Sequence, residues 1–89
     1  MKVFYHKTFR KNFKKRISHK PNLINKFKER FKLFLQDPSN QFLKDHKLVG
    51  RKKDYRAFSI TGDIRVVYYV REEIAYFVDV GTHNQVYGK

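Results

Sequence analysis

The sequence predicts an α+β fold: a helical hairpin packed on a curled antiparallel sheet, in the order β-α-α-β-β-β. Three observations predict it. Apolar residues recur at helical spacing up to residue 35, and at period two after residue 54. Pro21, Pro38, Gly50 and Gly62 fall between the periodic segments and punctuate them. The chain has 89 residues, of which 40% are apolar, with nine Phe and six Tyr, enough for a single domain (1–89) and one modest core. A chain of this size buries roughly 60–65% of its unfolded surface, so a site is expected in a surface groove rather than an internal cavity.

The elements follow in order. KVFYH, residues 2–6, is rich in β-formers and reads as a short strand. In HKTFRKNFKKRI, Phe9, Phe13 and Ile17 form one stripe of a helix whose remaining face is Lys and Arg. Ser18-His19-Lys20-Pro21 stops it, because proline disfavours helix at the residue before it. Pro21 opens a second helix. There Leu23, Ile24, Phe27, Phe31, Phe34 and Leu35 keep the spacing until Asp37-Pro38-Ser39-Asn40 ends it. Residues 41–53 read as a polar connection with apolar anchors at Phe42-Leu43 and Leu48-Val49. DYRAFSI then puts Tyr55, Ala57 and Ser59 on one face and Arg56, Phe58 and Ile60 on the other. Thr61-Gly62-Asp63 is a turn. IRVVYYV is nearly continuous in β-branched and aromatic residues and is expected in the middle of the sheet. Arg71-Glu72-Glu73 turns the chain into IAYFVDVG, the last strand, with GTHNQVYGK as an exposed loop and tail.

Cysteine is absent, which excludes disulfides, thiolate zinc sites and a cysteine nucleophile. No apolar run approaches the roughly 20 residues of a membrane span. The start MKVFYHKTFRK lacks the apolar core of a signal peptide, so a cytoplasmic protein is expected, with no membrane partner. No phosphate-cradling Gly loop, metal-ligand cluster or Ser-His-Asp signature is present, and neither metal nor cofactor is expected. The net charge is +13 and lies almost wholly in the first half. Residues 1–53 hold 17 Lys+Arg against 3 Asp+Glu, whereas residues 54–89 hold 4 against 5. Such a field attracts polyanions: nucleic acid, an anionic membrane or an acidic protein.

The side chains suited to chemistry gather at one end of the sheet. The turn at Asp63 and the exit of the last strand at His83 meet there, because the last two strands run in opposite directions. Arg65 follows Asp63 on the same side of its strand. Each residue has an ordinary alternative: a salt bridge for Arg65 and Arg56, turn chemistry for Asp63, loop surface for His46, packing of the tail for Tyr87. Cleaving RNA without a metal needs a base for the 2′-hydroxyl proton, an acid for the 5′-oxygen leaving group and a cation for the phosphorane-like charge. Two histidines, an aspartate and an arginine supply those groups, and a tyrosine can stack on a base.

DHKLVG, YRAFSITGDIRVVYY and DVGTHNQVYG, spanning roughly residues 43–88, resemble the RelE superfamily of bacterial type II toxins, and most of all its YafQ-like branch. The resemblance implies a RelE-like, microbial-RNase-type fold. It implies a metal-independent endoribonuclease (an mRNA interferase) that cuts mRNA in the ribosomal A site and so stops translation. The implied partners are a cognate antitoxin, mRNA and the ribosome with its 16S rRNA, and operator DNA only as a complex with the antitoxin. His46 matches the family's loop histidine, Asp63 the acid at the turn, His83 the histidine of the G-[ST]-H motif, and Tyr87 the aromatic near the C-terminus. Arg65 resembles the strand arginine at the scissile phosphate. Those five are the expected catalytic set, with Arg56, Ser59, Lys52 and Lys53 as substrate contacts. Ser59 departs from the family, whose YafQ-type members often have histidine there. Either His46 and His83 then share the acid–base work or Asp63 becomes the base. The competing reading is a non-catalytic RNA- or ribosome-binding module. A relative acting on another target, such as DNA gyrase, is a third.

Overall fold

The computed structural model describes residues 1–49 and 54–87. Five strands form one open sheet in the order β1-β5-β4-β3-β2. They are β1 (Lys2–Tyr5), β2 (His46–Lys47), β3 (Arg56–Ser59), β4 (Ile64–Arg71) and β5 (Ile74–Thr82). Helices α1 (Lys7–Arg16) and α2 (Pro21–Gln36) pack on one face, and α3 (His83–Tyr87) lies on the other. A 3-10 turn, Gln41–Leu43, links α2 to β2. The α+β class is the one the sequence predicts, and β4 is central, as its unbroken β-forming run requires.

The main core lies between the helices and the sheet. Phe9, Ile17 and Phe34 pack there with Phe58, Ile60, Val66, Tyr68, Phe77 and Val80. Phe34 of α2 is fully buried, stacked on Phe58 at 4.8 Å and edge-on to Tyr68 at 5.0 Å. Truncating such a residue to alanine costs about 3–5 kcal/mol. The two helices meet through Phe13 and Phe27, whose rings are 5.0 Å apart. Their outer faces carry Lys7, Arg10, Lys11, Lys14, Lys15, Lys28 and Lys32, all exposed. The opposite sheet face has a smaller core, in which Val86 of α3 covers Ala57 and Val67.

Three features differ from the sequence reading. First, the sheet is not antiparallel throughout. β1 runs parallel to β5, from Lys2 opposite Ile74 to Tyr5 opposite Phe77. Period two fixes which side chains share a face but not strand direction, and a parallel neighbour needs only a long enough crossover. Second, the polar connection contains the 3-10 turn and the two-residue strand β2, both too short to leave a periodic signal. Third, His83 does not sit in a loop. It is the first residue of α3. Thr82-His83-Asn84-Gln85 is a capping box: Gln85 N–H donates to Thr82 Oγ1 at 3.2 Å, and Thr82 N–H donates to Gln85 Oε1 at 2.8 Å.

β1 ends at Tyr5, and beyond it α1 protects the outer edge of β5. Asn12 Nδ2 donates to Asp79 Oδ1 at 2.7 Å, and Arg16 Nη1 donates to the Val80 carbonyl at 2.9 Å. An edge strand left bare would expose unpaired backbone groups.

Candidate active site

The site is built from the strand register. Ser59 pairs with Arg65, and Arg65 pairs with Gly81, so one row crosses β3, β4 and β5. Alternation puts that row on the same face as Ala57 and Val67, away from α1 and α2. Arg65 donates from Nη1 to Ser59 Oγ at 3.2 Å. Two further donors, Arg65 Nε and the Tyr87 hydroxyl, are buried with no partner among the described residues. Burial pushes the Tyr87 phenol above its ordinary value, and the neighbouring Arg65 charge pulls it back in part. A buried donor without an acceptor is uncommon in a folded protein. An anionic oxygen beside Arg65 and Tyr87 is the acceptor that would suit both.

α3 brings two of the expected side chains together by helical spacing. His83 and Tyr87 are four residues apart and share one face, with ring centroids 4.4 Å apart and edge to face. His83 is exposed. Tyr87 is half-buried and packs against the small core, so the expectation of an exposed Tyr87 tail does not hold. The buried Val86 between them anchors the helix. Gly81 lets α3 close onto the strand. A Cβ there would come within 2.6 Å of Gln85 Oε1 and 2.7 Å of Arg16 Nη1.

The remaining expected residues are placed as follows. Ile64 pairs with Thr82, so Asp63 and His83 flank the same end of the β4–β5 ladder. Asp63 is exposed. Its backbone N–H donates to Thr61 Oγ1 at 3.1 Å, and its carboxylate has no ion pair among the described residues. His46 pairs with Ala57 and therefore shares the face of Ser59, two residues along β3. Diagonal neighbours of this kind have Cα atoms about 7–8 Å apart. The His46 Nδ1 lies 3.0 Å from the Lys44 carbonyl. A carbonyl only accepts, so Nδ1 is the donor here, and in the neutral ring Nε2 is the nitrogen left to accept.

Arg56 lies apart from this group. β3 has no bulge, so Arg56 stays on the face opposite Ser59. Its Nε donates to Asp45 Oδ1 at 2.8 Å, and the Tyr68 hydroxyl donates to the other oxygen of the same carboxylate. This is the salt-bridge alternative: Asp45 is 9% exposed and ties β2 to the sheet. Burial and the bond to Asp45 push the Tyr68 phenol well above its ordinary value. Lys52 and Lys53 lie outside the described residues.

Sequence reasoning missed Arg16 and Gln85, which hold α1 and α3 against β5 at Gly81. The T-x-x-Q spacing was a readable signal for Gln85. Arg16 is one of many cations on α1, and nothing in its local sequence separates it from the rest. Among the described residues, no three His, Cys, Asp or Glu side chains are placed to hold a metal ion, and no helix is long and apolar enough to cross a membrane.

Residues 1–88 match the family model described as a bacterial toxin of type II toxin–antitoxin system, YafQ. The chain is similar to the crystal structure of YafQ from E. coli strain BL21(DE3), with 26% identity and a TM-score of 0.80, covering 97% of both chains. It is similar to a chain of the E. coli DinJ–YafQ complex, with 25% identity and a TM-score of 0.79, again over 97% of both. A YoeB/ParE toxin from Agrobacterium tumefaciens shares the fold at 18% identity and a TM-score of 0.76, over 93% of this chain and 99% of that one. No curated protein sequence matches the chain.

Proposed function

The chain belongs to the YafQ family of bacterial toxins of type II toxin–antitoxin systems, and on that footing we propose that it is a metal-independent endoribonuclease that cuts mRNA in the ribosomal A site. The observation that carries the reading is the pair of unpartnered donors, Arg65 Nε and the Tyr87 hydroxyl, set between His46 and Ser59 on one side and His83 on the other. A phosphodiester oxygen at Arg65 meets those donors. His46, protonated at Nδ1, offers Nε2 to take the 2′-hydroxyl proton. His83, exposed at the start of α3, protonates the 5′-oxygen as it leaves. Arg65 stabilises the charge that develops on the phosphorane, an effect worth about 10²–10³ in rate for one well-placed donor. With the acid and base supplied by His46 and His83, Ser59 serves by holding Arg65 rather than by moving a proton. Asp63, at the same sheet end as His83, is placed to orient the attacking ribose or the acid.

The partners follow from the same reading. The relatives include a toxin in complex with DinJ. An acidic antitoxin binding this chain would mask the cations of α1 and α2, and the toxin–antitoxin complex would be the species that binds operator DNA. The absence of cysteine suits work in the cytoplasm, where mRNA and ribosomes are found.

The test is primer extension on mRNA bound to translating ribosomes, comparing wild type with His83→Ala. Discrete breaks within A-site codons are expected with wild type and lost with the variant, while its thermal unfolding is unchanged. Ribosome binding without breaks from wild type would instead identify a non-catalytic binding module.

A further inference from the structure

We propose that the recess between α2, the 3-10 turn and the β3–β4 turn binds one nucleotide of the single-stranded RNA flanking the cut, its phosphate among Lys26, Arg30 and Lys44 and its base on the ring of Phe42. The inference rests on the ribonuclease reading above and adds a substrate contact to it. The recess has a volume of about 410 Å³, and its charged lining is wholly cationic: Lys26, Arg30, Lys44 and Arg65. Of these, only Lys26 has a carboxylate partner among the described residues, Glu29 at 3.6 Å. Four like charges around one groove repel one another and concentrate a field suited to an anion.

The recess is continuous with the active site. β2 covers β3 only at Arg56 and Ala57, so the outer edge of β3 at Ser59 is open to the loop that carries Phe42 and Lys44. Ser59 and Arg65 line the recess and belong also to the catalytic row. Arg65 therefore lies within reach of both a phosphate in the recess and one beside Tyr87.

Phe42 supplies the second observation. Its neighbour Leu43 is fully buried, yet Phe42 itself is 62% exposed, so the core does not need it. Its backbone is nevertheless held in place. The Phe42 N–H donates to Asn40 Oδ1 at 2.9 Å, and Arg30 donates to its carbonyl. An exposed aromatic on a secured backbone beside a cationic groove is the usual equipment for stacking a base of single-stranded nucleic acid. Lys44 follows in a left-handed conformation, φ 51°, which a lysine seldom adopts.

The experiment is single-turnover cleavage of mRNA positioned on ribosomes, by wild type, Lys26→Gln/Lys44→Gln and Phe42→Ala. Each is run on substrates carrying one neutral methylphosphonate, or one abasic nucleotide, at successive positions beside the cut. All three substituted side chains are outside the core, and circular dichroism confirms folding. The lysine variant is expected to raise the half-saturating toxin concentration about tenfold, in line with the loss of charged hydrogen bonds, with the saturated rate kept. One flanking methylphosphonate should weaken wild type about as much and the lysine variant no further. An abasic site should behave the same way against Phe42→Ala. Unchanged half-saturation in the variants, or penalties that simply multiply, overturns the subsite while leaving the ribonuclease intact. Loss of antitoxin affinity alone in Phe42→Ala also overturns the base contact. A wild type that cuts no RNA overturns the ribonuclease reading and the subsite with it.

Discussion

Replacing Arg65 with methionine separates what this residue does for folding from what it does for chemistry. In the folded chain Nη1 donates to Ser59 Oγ at 3.2 Å, while Nε is buried without a partner among the described residues. Losing the one hydrogen bond costs about 0.5–1.5 kcal/mol, and leaving a buried hydroxyl unpaired costs about 1 kcal/mol more. Removing an unsatisfied buried donor offsets this by about 1–3 kcal/mol. The contributions nearly cancel, so Arg65→Met is expected within about 1 kcal/mol of wild type, a Tm shift of no more than roughly 4–8 °C for a domain of this size. Adding Ser59→Ala removes the abandoned hydroxyl, and Arg65→Met/Ser59→Ala is expected to be at least as stable as the native chain. Cleavage responds differently, falling about 10²–10³-fold in both variants through loss of transition-state charge stabilisation. The assay pairs urea unfolding followed by circular dichroism with single-turnover cleavage on programmed ribosomes. A double variant less stable than wild type by more than about 2 kcal/mol would show that Arg65 is architectural. Full cleavage by Arg65→Met would remove it from the chemistry.

Other perturbations test the supports around the site. Gln85→Ala breaks the capping box, which should cost about 1 kcal/mol and slow cleavage several-fold by loosening His83. Gly81→Ala displaces the same Gln85 amide together with Arg16, so the double variant should lose less stability than the two singles combined, read from urea midpoints. The raised Tyr68 phenol gives a pH dependence. Its contribution is fully present below the unfolded value of about 10, and it declines as pH rises above that toward the folded value. Unfolding free energy measured upward from about pH 9 should therefore fall, and Tyr68→Phe should flatten that fall.

Much of this fold is legible in the sequence because its elements obey clear periods. Phe9 and Phe13 on α1 with Ile17 at its end, and Phe27, Phe31 and Phe34 on α2, recur as helix faces. Ala57 and Ser59 alternate with Phe58 and Ile60. The turn at Thr61–Asp63 and the opposed directions of β4 and β5 follow from those patterns, and they bring Asp63 and His83 to one sheet end; the register shift between Val67 and Tyr68 does not. What was not legible has a common cause. β1 and β5 are separated by most of the chain, and their parallel pairing is decided by how α1 and α2 pack, which no local pattern records. α3 is five residues long, so only its capping box and Val86 announce it. The nearness of Tyr87 to the Arg65 charge depends on α3 folding back over the sheet. Phe42 looked like a core anchor because exposure cannot be read from residue type alone. It is the buried Leu43 beside it that does the anchoring.

The division of the sheet into two unlike faces explains how so short a chain holds a site at all. The face toward α1 and α2 is packed with Phe34, Phe58, Tyr68 and Phe77, and it fixes the backbone of β3, β4 and β5 from behind. The other face carries only the smaller core among the described residues, Val86 on Ala57 and Val67 with Leu48, Tyr55, Val78 and Tyr87 packed around them. A chain of this size has too little apolar material to bury both faces of a five-stranded sheet. The second face is therefore free to carry polar groups, and their cost falls on strands already secured. Unpartnered donors at Arg65 and Tyr87 are tolerated there because the opposite core, not the site, sets the stability. The same rigidity keeps Arg65 and Tyr87 from rearranging to satisfy their own donors, and under the proposed function those donors are free to meet a phosphate.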